Sequence, residues 1–110
     1  MKILSGGYQG ISRCCAHLKQ GGILAIPTET VYGLAAIATQ AHAVAQIFEA
    51  KERPSFDPLI VHIPQGWGSL KKLDELGITE SAVLSEPAKR LAELMMQKLW
   101  PGPLTLVLPK

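Results

Sequence analysis

Three short stretches of the 110-residue sequence place reactive residue types close together. The first is Pro27-Thr28-Glu29-Thr30-Val31-Tyr32-Gly33-Leu34, where two hydroxyls and a carboxyl sit in a turn directly after an apolar run. Ligands of open α/β sheets collect at such strand ends, where hydroxyls offer short polar contacts. The same residues also suit a plain structural role, with Thr28 or Thr30 capping a helical turn and Glu29 solvated. The second stretch is Lys51-Glu52-Arg53-Pro54. Two cations at a helix end complement the helix dipole, and two cations on a loop stiffened by Pro54 and Pro58 can also clamp phosphate. In the latter role Arg acts by its planar fork and Lys as a point charge. The third is Asp57 and His62, flanking the start and end of an apolar run. His62 falls on the face opposite Leu59, Val61 and Ile63 by period-two alternation, so it either sits satisfied in a core or reaches a substrate hydroxyl or carboxylate from a cleft wall. Asp57 either contacts a ligand or shapes the turn.

Other routes to the same chemistry are missing. Neither G-x-x-x-x-G-K-[ST] nor G-x-G-x-x-G occurs, so a nucleotide here would not be held by a P-loop or a Rossmann turn. There is no zincin helix, EF-hand loop or Ser/His/Asp order. Cys14 and Cys15 are adjacent within a helical pattern, where a disulfide between neighbours is strained. They lack C-x-x-C spacing and a second ligand cluster, so they read as reduced structural thiols of a cytosolic protein, and no metal site is expected.

The elements that position these groups follow from periodicity. Ile11, Cys14, Cys15 and Leu18 predict a helix over 11–20, stopped by Gly21-Gly22. Ile23-Leu24-Ala25-Ile26, closed by Pro27, predicts a short strand buried on both faces. Ala41, Val44, Ile47 and Phe48 predict a helix over 40–51, ending near Glu52 because Pro54 forces its predecessor out of the helical region. Pro58 to Ile63 predicts a central strand. A weaker helix spans Ser69 to Leu76 and is broken by Gly77. A stronger one opens at Ser85-Glu86-Pro87, with Leu91, Leu94, Met95 and Leu99 as its buried stripe. Trp100-Pro101-Gly102-Pro103 ends it, and Leu104 to Leu108 predicts another strand. Helices alternating with short apolar strands indicate an α/β layered domain.

Size and charge set the outer bounds. A chain this short, 47% hydrophobic, supports a single domain over residues 1–110. The net charge is +2 and its eleven Lys and Arg are scattered, which argues against a dedicated nucleic-acid surface but leaves room for a small anionic ligand. No apolar run approaches the roughly 18 residues of a membrane span, and the first residues lack a signal-peptide pattern, so a soluble cytoplasmic protein is expected.

Taken together and in order, Pro27 to Leu34, Lys51-x-Arg53-Pro54 with Pro58-Leu59-Ile60-Val61-His62, and Trp100-Pro101-Gly102-Pro103-Leu104-Thr105 resemble the signatures of the Sua5/YrdC family, the threonylcarbamoyl-adenylate synthases. The similarity runs from about Gly21 to the C-terminus. The resemblance implies a YrdC-like twisted mixed sheet with helices packed around a concave, positively lined cavity. It implies synthesis of threonylcarbamoyl-AMP and pyrophosphate from L-threonine, bicarbonate and ATP with Mg2+, feeding tRNA-modification partners at adenosine 37. By the same resemblance Thr30 and His62 contact L-threonine, Lys51 and Arg53 bind ATP and act in catalysis, and Asp57 lies near the nucleotide. Two positions depart from the pattern. Gly33-Leu34-Ala35-Ala36 replaces Gly-Leu-Gly-Ala, and Asp57 replaces asparagine, an anion ill-suited to polyphosphate unless magnesium or water intervenes. The family's later Ser-x-Asn element has no counterpart before Lys110, so the resemblance covers a catalytic domain incomplete at its C-terminal end. That implies a chain inactive by itself, with an exposed apolar edge that favours self-association. The alternatives are a double-stranded RNA-binding module and a non-catalytic remnant.

Overall fold

The computed structural model describes residues 2–54 and 58–110, so Asp57 lies outside the described residues. They divide into two compact units, Met1–Pro58 and Leu59–Lys110. The described residues are α/β in content, with four α-helices and an antiparallel two-stranded sheet. No helix of the described residues is long and apolar enough to cross a membrane.

In the first unit, helix α1 spans Tyr8–Lys19, beginning three residues before the sequence pattern indicates. It stops where expected, because Gly21 takes φ +86°, a left-handed value that costs residues with a Cβ. The Gly21 and Gly22 N–H groups then close on the carbonyls of Leu18 and His17. Cys14 and Cys15 are free thiols on this helix. Strand β1, Leu24–Ile26, pairs antiparallel with β2, Gly33–Ala35, setting Leu24 opposite Ala35 and Ile26 opposite Gly33. The expectation of a strand buried on both faces is corrected here: Leu24 is half-buried and Ala25 and Ile26 are exposed. Helix α2, Ala41–Lys51, buries Ala43 and Ile47, with Val44 and Phe48 half-buried and Ala41 exposed. The Gln46 amide donates to the Gly21 carbonyl at 2.9 Å, tying α2 to the exit of α1.

The second unit is organised by helices α3, Leu70–Glu75, and α4, Glu86–Leu99, with one 3-10 turn at Ser81–Val83 between them. Both helices start on serine caps. Ser69 Oγ accepts the Lys72 N–H at 3.1 Å and Ser85 Oγ accepts that of Ala88 at 3.3 Å. Gly77, at φ +70°, breaks α3 as its position indicates. Leu70, Leu73, Ala92 and Met96 form the core, with Ile63, Ile78, Leu84, Trp100, Leu106 and Leu108 packed against it.

The buried stripe of α4 differs from the leucine-rich one expected. Ala92 and Met96 are buried and Met95 half-buried, whereas Leu91, Leu94 and Leu99 are more than half exposed. On the same helix the Glu93 carboxylate accepts the Leu70 N–H at 2.8 Å, satisfying an orphan donor at the start of α3. A tie between residues 23 apart leaves no periodic trace in sequence.

Two expected strands are also corrected. Neither Pro58 to Ile63 nor Leu104 to Leu108 forms a strand. Leu104 to Leu108 keeps the alternation of one, with Leu104, Leu106 and Leu108 half-buried and Thr105 and Val107 exposed. Among the described residues it lacks a neighbour about 4.8 Å away to complete a ladder. Its orientation comes instead from the Trp100-Pro101-Gly102-Pro103 corner, where the Trp100 indole N–H donates to the Leu104 carbonyl at 2.7 Å. Beyond it, the Glu80 N–H reaches the Pro109 carbonyl at 2.8 Å.

Asp74 staples the link between α3 and α4. Its carboxylate accepts from the Thr79 hydroxyl at 2.6 Å and from both the N–H and the hydroxyl of Ser81. The Ser81 hydroxyl, then Thr79 and the Ser81 N–H, hold the carboxyl below its ordinary value. A depressed acid pKa means the folded form binds its proton later than the unfolded chain does. The stapling contribution is therefore complete above the ordinary carboxylate range and is lost as pH falls through the folded value. In urea titrations run from neutral into the acid range, Asp74→Asn flattens the loss of stability expected of this group below the ordinary carboxylate range. An acid limb as steep in the variant as in the wild type contradicts the assignment.

Candidate functional site

The loop 27–32 joins β1 to β2, and the in-register pairing Ile26–Gly33 holds its two ends together. Inside it Thr28 forms a compact brace. Its Oγ1 donates to the Val31 carbonyl, accepts the Thr30 N–H at 3.3 Å and lies 3.5 Å from Thr30 Oγ1. Thr28 thus organises the turn from within, rather than capping a helix as the simpler sequence reading has it. Thr30, Val31 and Tyr32 are exposed, so the hydroxyl of Thr30 is open to a ligand.

Lys51 is the last residue of α2, and Glu52 caps that helix in the left-handed region at φ 52°. This conformation costs a residue with a Cβ about 1 kcal/mol. It lets the Arg53 N–H return to the Phe48 carbonyl at 3.0 Å, closing the helix end. The consequence is a fixed exit that carries Lys51 and Arg53 on either side of one strained residue, both exposed. Neither belongs to an ion pair among the described residues, where the salt bridge is Lys89–Glu86. Two exposed cations at a closed helix end are of the residue types that can clamp phosphate.

His62 belongs to the second unit and is exposed in a segment outside helix and strand, not enclosed among aliphatic side chains. The first unit brings together Thr28 and Thr30 in one loop and Lys51 and Arg53 at one helix end. Asp57 lies outside the described residues. No group of three His, Cys, Asp or Glu able to hold a metal ion exists among the described residues. Thr28, for which the sequence offered a capping role shared with Thr30, is instead the residue that braces its own loop. Its signal was the Thr-x-Thr spacing, which puts one hydroxyl within reach of the backbone N–H two residues on.

Comparison with known proteins supplies the context. The family model for Sua5, YciO and YrdC, described as telomere recombination, matches residues 16–110. A threonylcarbamoyl-AMP synthase of Pyrococcus abyssi is 46% identical over 93 residues, covering 84% of this chain and 24% of the relative. One from Bacillus subtilis is 43% identical over 106 residues, covering 96% of this chain and 27% of the relative. The crystal structure of Pyrococcus abyssi Sua5 complexed with L-threonine superposes with a TM-score of 0.68 at 41% identity, across 100% of this chain and 28% of that one. The chain thus spans about a quarter of the length of these relatives. Because the family model spans both units and the motifs at Thr30, Lys51 and His62, the chain belongs to the Sua5/YciO/YrdC family.

Proposed function

We propose that this chain is part of an L-threonylcarbamoyladenylate synthase, a cytoplasmic ATP-dependent nucleotidyltransferase. Its residues 1–110 would make up one part of a single YrdC-like domain. The observation that carries the reading is the alignment of the whole chain with a Sua5 structure complexed with L-threonine, at 41% identity. The braced hydroxyl loop and the closed two-cation helix end support it.

In this reading the amine of L-threonine captures bicarbonate, losing water, to give a carbamate. A carbamate oxygen then bonds to the α-phosphorus of ATP as the bond from that phosphorus to the bridging oxygen breaks and pyrophosphate departs. Lys51 and Arg53 bind the phosphates and offset the charge that grows on the leaving pyrophosphate, a contribution that depends on their being fixed before reaction. Thr30 and His62 hold L-threonine by short polar contacts. No step here runs through a metal held by the described residues. The product feeds the threonylcarbamoyl modification of tRNA.

Since the chain covers about a quarter of its relatives, activity tests use a protein of the relatives' length carrying this sequence. Thr30→Val and His62→Ala each lower the preference for L-threonine over L-valine about tenfold, the worth of one hydrogen bond that an apolar pocket cannot replace. Competition binding of the two amino acids measures it. An unchanged preference in both variants removes these residues from the threonine site. Salt-dependent binding of generic duplex RNA, without saturable binding of ATP or threonine, would favour the RNA-binding alternative.

A further inference from the structure

Helices α1, α2 and α3 all end in the same turn. In each, one residue takes the left-handed region, its N–H returns to the carbonyl three residues back, and the next N–H returns to the carbonyl five back. Both bonds satisfy carbonyls that a helix end otherwise orphans. At α1 the pair is Gly21 to Leu18 at 3.0 Å and Gly22 to His17 at 3.1 Å, and at α3 it is Gly77 to Asp74 at 3.0 Å and Ile78 to Leu73 at 2.9 Å. At α2 it is Glu52 to Glu49 at 3.2 Å and Arg53 to Phe48 at 3.0 Å. Two of these turns use glycine, at φ +86° and +70°, whereas Glu52, at φ 52°, is the one residue with a Cβ in this region among the described residues. A Cβ there crowds the backbone, and a carboxylate at a helix C-terminus also meets the negative end of the dipole. The least favourable of the three turns therefore lies between Lys51 and Arg53.

That turn is the joint between the two cations. Lys51 is fixed as the last residue of α2, and Pro54 restricts Arg53 to extended backbone. The two dihedrals of Glu52 are what remain to set where Arg53 stands relative to Lys51. We propose that Glu52 is a positioning residue of the phosphate site, and that ATP affinity follows the ease with which residue 52 takes the left-handed turn, not the charge it carries. The proposal rests on the reading of Lys51 and Arg53 as ATP ligands. When the turn opens, Arg53 leaves the geometry in which both cations meet one triphosphate. The apparent affinity is then reduced to the fraction of molecules in which the turn is closed.

The test makes Glu52→Gly, Glu52→Asn, Glu52→Gln and Glu52→Val in a protein of the relatives' length. All four remove the carboxylate alike and differ in how readily they turn left-handed, from Gly through Asn to Gln and Val. Calorimetry gives the affinities for ATP and L-threonine, and hydrogen exchange gives the opening of the Arg53 amide. Exchange of that amide should quicken along the series. ATP affinity should fall about tenfold from Glu52→Gly to Glu52→Val, with Glu52→Gln about threefold below Glu52→Gly. L-Threonine affinity stays level, which a general loss of structure would not allow. Should Glu52→Val fail to fold, the threefold step from Glu52→Gly to Glu52→Gln carries the test. Equal ATP affinity across the series, while Lys51→Ala with Arg53→Ala loses ATP, means that residue 52 only caps α2. The positioning role is then overturned and the ATP reading survives. Wild-type ATP affinity in that double variant removes the reading and the proposal together. A wider gap between wild type and Glu52→Gln than between Glu52→Gly and Glu52→Val makes charge the determinant and overturns the proposal. So does an L-threonine affinity that falls in step with that for ATP.

Discussion

Replacing Lys51 and Arg53 together by alanine in a protein of the relatives' length lowers ATP affinity by about 10^2 to 10^4, while Arg53→Lys alone costs at least tenfold. The range follows from two charge-assisted hydrogen-bonding groups at about 1.5–3 kcal/mol each. The second value reflects geometry rather than charge. Lysine keeps the positive charge but loses the planar fork that meets two phosphate oxygens at once. The helix exit makes this loss local, because Arg53 is held by its N–H contact to the Phe48 carbonyl and Lys51 by the last turn of α2. Calorimetric titration with ATP reads the effect directly. Wild-type affinity in the double variant means that the pair serves only the dipole of α2.

How much of this was legible in the sequence depends on how local each determinant is. Gly21, Gly77, Ser69 and Ser85 act within one helical turn, so the ends of α1 and α3 and the starts of α3 and α4 follow from residue identity. The α/β class follows from the alternation of apolar runs and helical stripes. Strands are different, because a ladder needs a partner that no local pattern supplies. The apolar stretches at Pro58 to Ile63 and Leu104 to Leu108 carry strand propensity and alternation, yet remain unpaired. The stripe of α4 was misassigned for a related reason. The helix is apolar over an arc wider than one face, so periodicity alone leaves open which part of the arc turns inward. At the site, the motifs named Thr30, Lys51, Arg53 and His62 but offered Thr28 only a capping role, because the partners of a hydroxyl are set by the backbone folded around it.

The second large effect concerns the isolated 110-residue chain, which should make no threonylcarbamoyl-AMP and should self-associate. Val107 is 96% exposed, Leu91 59% and Leu94 51%, and the backbone of Leu104 to Leu108 has no ladder partner among the described residues. Exposed apolar side chains on α4 and an unpaired extended segment in one unit are the ingredients of association between copies. Size-exclusion chromatography with light scattering should find oligomers at micromolar concentration, and Leu91→Lys with Leu94→Lys should shift the population toward monomer. A monomeric wild-type chain at that concentration contradicts the expectation. The absence of turnover has a separate cause. Transition-state stabilisation requires donors arranged around the α-phosphate, and this chain represents about a quarter of the relatives' length.

Pyrophosphate release with ATP, bicarbonate and magnesium, assayed with and without L-threonine, tests the central claim most directly. A protein of the relatives' length carrying this sequence should release pyrophosphate only when L-threonine is present. The Lys51→Ala, Arg53→Ala version should fall to background, and the 110-residue chain alone should show no threonine-dependent release. Release that ignores L-threonine, or that survives the double substitution, contradicts the account.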